Sequence, residues 1–61
     1  MTSFEFKKIR IDLGFLQDQL AERMGMRQPH ISRIESGSRK PTLQQGKHLL
    51  EIQRVEFLSK I

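Results

Sequence analysis

Apolar residues recur at helical spacing along most of the chain, and residues typical of helix ends separate the repeats. Phe6, Ile9 and Leu13 follow one another at intervals of three and four, which places them on one face of a first helix. Thr2 and Glu5 have the spacing of a capping box, in which each side chain accepts a hydrogen bond from the other residue's backbone N–H. We therefore predict a helix that begins near residue 3 and ends at the following glycine.

Two shorter helices are predicted next, over about 17–24 and about 28–36, each closed by a glycine. Ile31 and Ile34 would hold the later of these helices to the body of the protein. Pro29 is compatible with a helix only in its first turn, which is where this prediction places it.

A second capping box, at Thr42 and Gln45, predicts a last helical region that runs toward residue 61 as one helix or two. Strand signals are nearly absent. The sequence therefore predicts a single all-α domain over residues 1–61, with four to five short helices.

The last region has two apolar faces. One narrow stripe is predicted to face the core: Leu43, Leu50, Phe57 and Ile61. Other apolar residues lie outside the two predicted core faces, and we predict that they form a two-fold homodimer interface: Ile52, Val55, Leu58 and Phe4. The alternative is that the first helix packs directly on the last one and hides these residues within the monomer.

Positive charge is concentrated in one segment. The chain has 11 Lys and Arg against 7 Asp and Glu. Residues 27–40 hold four of the basic side chains and only one acidic one, Glu35. Such a local excess is typical of a surface that binds a polyanion, although an ordinary solvated surface is the alternative.

Composition also argues against several classes of function. There is no cysteine, so disulfides and thiolate metal sites are excluded. His30 and His48 lack carboxylates at metal-ligand spacing, and we expect no metal, cofactor or catalysis. Apolar runs are too short for a membrane span or a secretory signal, which predicts a cytoplasmic protein without membrane contact.

The helices over 17–24 and 28–36 are joined by only about three residues around Gly25, so they must cross steeply, as in a helix-turn-helix. In that motif the second helix lies in the major groove of DNA. Glutamine can pair with adenine and arginine with guanine. The outward positions of the second helix carry such polar or short side chains: Gln28, Pro29, Ser32, Arg33 and Ser36.

The runs QDQLAERMGM (17–26) and ISRIESG (31–37), followed by Pro41, resemble the Cro/C1-type (Xre-family) helix-turn-helix. The resemblance covers roughly residues 6–43. It implies a lambda-repressor-like bundle and a phage- or bacterial-repressor-like protein that binds double-stranded DNA.

The resemblance also implies roles for individual residues. Base-reading positions are matched by Gln28, Pro29, Ser32 and Arg33. DNA-backbone positions are matched by Gln17, Arg27, Ser38, Arg39 and Lys40. Arg10 and Glu35 match an ion pair that joins the first and third helices. His30 is either a further phosphate contact or an ordinary surface histidine.

This chain departs from the family pattern at several positions. Leu16 and Arg27 occupy N-cap positions without a capping side chain, and each missing cap costs about 1 kcal/mol. Arg27 could recover this cost by holding a phosphate. Gly46 and Gln53 stand where an apolar residue is usual.

The expected function is a transcriptional repressor that binds an inverted-repeat operator as a homodimer, associated with the nucleoid when bound. A phage regulator and a restriction–modification controller both fit. The alternative is an antitoxin-type protein that binds a partner encoded in the same operon and autoregulates that operon, although little chain lies outside the motif.

Overall fold

The computed structural model describes residues 1–59, and within that range all regular structure is helical. Four helices follow one another there: α1 (Ser3–Asp12), α2 (Gln17–Met24), α3 (Gln28–Ser36) and α4 (Leu43–Ser59). The predicted all-α fold is confirmed, and the last region forms one helix. None of these helices is long and apolar enough to cross a bilayer.

Both predicted capping boxes form. The Thr2 hydroxyl accepts from the Glu5 N–H at 3.1 Å, and the Glu5 carboxylate accepts from the Thr2 N–H at 3.0 Å. Thr42 and Gln45 make the same reciprocal bonds at 3.1 and 2.9 Å. These bonds satisfy backbone donors that have no partner within the helix, so α1 and α4 begin where local sequence directs.

The core lies where all four helices meet. α3 packs against α1 and α2, and α4 closes against the same two helices. Ile9 and Leu13 of α1 are partly buried beside the core, as their spacing predicts. The buried apolar side chains are Phe6, Leu20, Ala21, Met24, Ile31, Ile34, Leu49 and Ile52.

The predicted core stripe of α4 is wrong. Leu43, Leu50 and Phe57 are 77%, 47% and 66% exposed. Ile61, the fourth residue of that stripe, lies outside the described residues. The face that enters the core is turned from this stripe by about 100°, which is one residue around the helix.

Gly46, Leu49 and Ile52 form the face of α4 that is buried. Gly46 has no side chain, and its backbone lies near Met1: an added Cβ would be 3.7 Å from the Met1 Cβ, an ordinary van der Waals distance. A glycine carries no apolar signal, because it packs through its backbone. The sequence pattern therefore favoured the more numerous apolar residues on the exposed side.

The burial of Ile52 corrects one sequence-based expectation. Its side chain is 6% exposed and belongs to the same core cluster as Phe6 of α1. For Ile52 the alternative holds, since packing of α1 on α4 hides it within the monomer. Phe4, Val55 and Leu58 remain exposed, at 75%, 47% and 58%.

Arg23 links the end of α2 to α4. Its Nη1 lies 2.7 Å from the Glu56 carboxylate, and its guanidinium lies 5.4 Å from the centroid of the Phe15 ring. The pair is partly solvated, so its contribution to stability is at most about 1 kcal/mol. The contact joins the last turn of α2 to the second half of α4.

Candidate nucleic-acid interface

The connection between α2 and α3 is a tight turn of three residues, 25–27. Gly25 adopts a left-handed conformation with φ 68° and ψ 30°. The Met26 N–H donates to the Ala21 carbonyl at 2.8 Å, and the Gly25 N–H donates to the Glu22 carbonyl at 3.2 Å. These bonds cap α2 and turn the chain directly into α3.

α3 presents one apolar and one polar face. Ile31 and Ile34 are fully buried and hold the helix against α1 and α2. Pro29 lies in the first turn, where the missing N–H costs no hydrogen bond. Ser32 and His30 are half-buried. The exposed residues of the segment are Arg27, Gln28, Pro29, Arg33 and Ser36.

An ion pair fixes α3 to α1, as the family resemblance implies. Arg10 Nε donates to Glu35 Oε2 at 2.6 Å, and Arg10 Nη2 donates to Glu35 Oε1 at 2.9 Å. A third donor, Arg10 Nη1, reaches the Phe15 carbonyl at 2.7 Å. The side chains of Arg10 and Glu35 are 11% and 3% exposed, so the pair is nearly removed from water.

A chain of hydrogen bonds leads from this ion pair to the exposed start of α3. Gln17 Nε2 donates to Glu35 Oε1 at 3.1 Å, and Gln28 Nε2 donates to Gln17 Oε1 at 2.7 Å. A carboxylate can only accept, so Gln17 must turn its amide nitrogen toward Glu35. The polarity of the Gln17 amide then requires Gln28 to donate, which leaves the Gln28 carbonyl oxygen free.

The loop after α3 folds back over the same face. Gly37 ends the helix with φ 87°, and the Arg39 N–H donates to the Arg33 carbonyl at 3.2 Å. The hydroxyls of Ser36 and Ser38 lie 3.1 Å apart. The Arg39 guanidinium reaches back to His30, with Nη1 3.1 Å from Nε2 of the ring.

The polar face of α3 and its loop carries uncompensated positive charge. Glu35 is the one carboxylate between residues 27 and 40, and Arg10 neutralises it. The ion pairs found within residues 1–59 engage Arg10 and Arg23 alone. The cations of this surface that have no carboxylate partner there are Arg27, Arg33, Arg39 and Lys40.

The structure brings most of the predicted DNA-contacting residues onto one surface. Gln17 and Gln28 are joined by a hydrogen bond, and Arg33 and Arg39 are joined through the loop backbone. Lys40 is exposed at the end of the same loop. Nothing in the spacing of the sequence indicated the bond between His30 and Arg39.

The missing cap of α2 has a partial replacement that sequence analysis overlooked. Leu16 offers no capping side chain, but its backbone N–H donates to Gln19 Oε1 at 2.8 Å. The signal was present, because Gln at the third helical position is half of a capping box.

Among residues 1–59, no three His, Asp or Glu side chains group closely enough to hold a metal ion.

Comparison with known proteins adds one match. A protein-family model described as helix-turn-helix matches residues 6–52, a span from α1 to Ile52 of α4. Searches of the curated proteins and of the solved structures found no match.

Proposed function

We propose that this chain, which belongs to the Cro/C1-type helix-turn-helix (Xre) family of DNA-binding transcription regulators, is a repressor that binds an inverted-repeat operator as a homodimer. The regulator class follows from the family match, which covers most of the chain. The repressor activity, the symmetry of the operator and the dimer are our proposal.

The observation behind this proposal is that α3 is packed against the core on one face and exposes its polar face. The helix is held from behind by two fully buried isoleucines, while its polar face is open to solvent. α3 would lie in the major groove, with four residues at the base edges: Gln28, Pro29, Ser32 and Arg33. Gln28 could then accept from N6 of adenine and donate to N7, and Arg33 could donate to both acceptors of guanine.

The residues around α3 would hold the DNA backbone. Phosphate contacts set register and affinity, while base contacts set sequence preference. Gln17 keeps one amide N–H unused by Glu35, and that N–H would bind a phosphate at the start of α2. The remaining contacts would come from the turn before α3 and the loop after it: Arg27, Ser38, Arg39 and Lys40.

The homodimer would form on the outer side of α4. Val55 and Leu58 are apolar and exposed there, and Phe4 is exposed on α1. A second copy of the chain would cover this apolar surface. Each half of an inverted repeat would bind one copy, so the two copies would be related by a two-fold axis. Half-sites would then lie about one turn of DNA apart. Occupancy of a promoter by such a dimer is sufficient for repression.

The first test is binding to short duplex DNA at increasing salt concentration. We expect tight binding at low salt and a steep linear loss of log affinity with log salt, because several phosphates are neutralised. The selected binding site is then placed across a promoter and transcription is measured with purified polymerase. Repression predicts that transcript falls as the site fills, whereas unchanged or increased transcript would contradict it.

A further inference from the structure

The side chains of His30 and Arg39 make a contact that the proposed roles do not explain. Arg39 Nη1 lies 3.1 Å from His30 Nε2. Arginine carries only donors and stays protonated, so the imidazole nitrogen must be the acceptor. The hydrogen bond therefore requires a neutral ring that carries its proton on Nδ1.

The contact joins the side chain of Arg39 to the first turn of α3. Arg39 belongs to the exposed loop after α3, and His30 lies in the first turn of α3. The loop backbone is already fixed at Arg33, one turn further along the helix. The bond to His30 then fixes the guanidinium itself, so that it lies along the polar face of α3.

The charged residues that share a surface cleft with His30, or bond to its ring, are arginines. A surface cleft of about 630 Å³ brings His30 together with Arg27 and Arg33, and its remaining lining residues are uncharged. Arg39 approaches the ring from the loop. Among residues 1–59, no carboxylate lines this cleft, so a protonated imidazole would lie against the Arg39 guanidinium and share the cleft with Arg27 and Arg33 without an anion in its lining.

We propose that His30 is a positioning residue that aims Arg39 at a DNA phosphate, and that it does so only while its ring is neutral. Protonation removes the acceptor on Nε2 and places two cations side by side, so Arg39 leaves α3. The inference rests on the proposed function, because it names which residue sets one of the phosphate contacts.

The test measures how much Arg39 contributes to DNA binding at two pH values. Affinity for a duplex of random sequence is measured for the parent and for Arg39→Gln at about pH 8 and about pH 5.5, on either side of the range in which imidazoles titrate. The ratio of the two affinities isolates Arg39, because any direct attraction of charged His30 to DNA is present in both proteins. We expect this ratio to fall about three- to tenfold at the lower pH, which is the change in affinity expected from the loss of one net hydrogen bond.

Two substitutions of His30 separate positioning from a structural role. In a His30→Gln background the amide oxygen accepts at any pH, so the Arg39 ratio is expected to be large and independent of pH. In a His30→Ala background it is expected to be small at both pH values. His48→Gln is the matched control, since His48 lies on α4 and this background should keep the pH dependence of the parent.

An Arg39 ratio that is equal at both pH values in the parent would overturn the inference and leave the proposed function intact. An Arg39 ratio in the His30→Ala background that equals the ratio in the parent would likewise overturn the inference and leave the proposed function intact. Absence of duplex binding at every pH would instead overturn the proposed function, and the inference with it.

Discussion

The amide nitrogen of Gln28 lies 2.7 Å from the amide oxygen of Gln17, and this bond fixes which end of the Gln28 amide faces solvent. The constraint originates at Glu35, whose carboxylate accepts from Gln17 on one side and from Arg10 on the other. A buried charge thus sets the donor and acceptor pattern of an exposed side chain. In the proposed complex with DNA, the base whose major-groove edge would match that pattern is adenine.

The ion pair between Arg10 and Glu35 is expected to be costly to break. Glu35→Ala leaves a nearly buried guanidinium without its carboxylate, and we expect a loss of about 3–5 kcal/mol in the free energy of unfolding by urea denaturation. A loss below about 1 kcal/mol would equate the pair with a solvated one.

The double variant Arg10→Met/Glu35→Leu tests the cause of that loss. It removes both charges and keeps apolar volume, so it should be clearly more stable than Glu35→Ala. Equal instability of the two variants would show that the stranded charge is not the reason.

The capping box at the start of α1 predicts a pH dependence. Hydrogen bonds from the backbone and the hydroxyl of Thr2 hold the pKa of Glu5 below its ordinary value of 4.5. A lowered pKa in the folded state stabilises the protein above the ordinary value, and this contribution is lost as pH falls through the folded-state pKa. Thr2→Ala keeps the backbone donor and removes only the hydroxyl, so it should raise the pKa of Glu5 part of the way toward its ordinary value in an NMR titration; an unchanged pKa would refute the contribution of the hydroxyl.

Two glycines should respond oppositely to alanine. Gly25 has φ 68° with open space around its Cα, so Gly25→Ala should cost about 1 kcal/mol from backbone strain alone. Gly46 lies in α4, and an added Cβ would meet Met1 at an ordinary contact distance. Gly46→Ala should therefore stabilise by about 0.5–1 kcal/mol through helix propensity. Thermal unfolding of both variants checks the signs, and a destabilised Gly46→Ala would contradict the packing described for α4.

Much of the fold follows from local sequence signals, and the prediction succeeds where those signals act alone. α1 begins at a capping box, and α2 and α3 end at left-handed glycines; these signals, such as Thr2 and Gly25, need no distant partner. The buried pair of isoleucines on α3 follows from spacing alone. The Arg10–Glu35 pair came from family resemblance rather than from spacing.

The remaining features depend on tertiary contacts. The core face of α4 was misassigned because Gly46 packs through its backbone, which no apolar count detects. The Arg23–Glu56 pair joins residues 33 positions apart, and no local rule predicts that pairing. The bond between His30 and Arg39 depends on how the loop returns over α3.

The proposed dimer makes a prediction about mass in solution. Val55→Glu places a charge on the exposed apolar side of α4 and should convert the dimer to a monomer in sedimentation equilibrium. Gln44→Glu adds the same charge at an exposed polar position of the same helix and should leave the mass of the parent. A parent that sediments as a monomer at all concentrations, or a Val55→Glu variant that remains dimeric, would remove this interface.

In the proposed complex, the outward face of α3 reads bases while the loop after it holds phosphates. Selection of bound DNA from random duplexes, carried out with the parent, Arg33→Ala and Lys40→Ala, tests this assignment most directly. We predict that the parent and Lys40→Ala select the same inverted repeat, although Lys40→Ala binds every sequence more weakly and with a salt slope lower by about one. Arg33→Ala should lose about 1–3 kcal/mol of DNA-binding free energy, and it should no longer prefer a particular base pair at one position of each half-site. Selection of the unaltered repeat by Arg33→Ala, or of no preferred sequence by the parent, would contradict the claim.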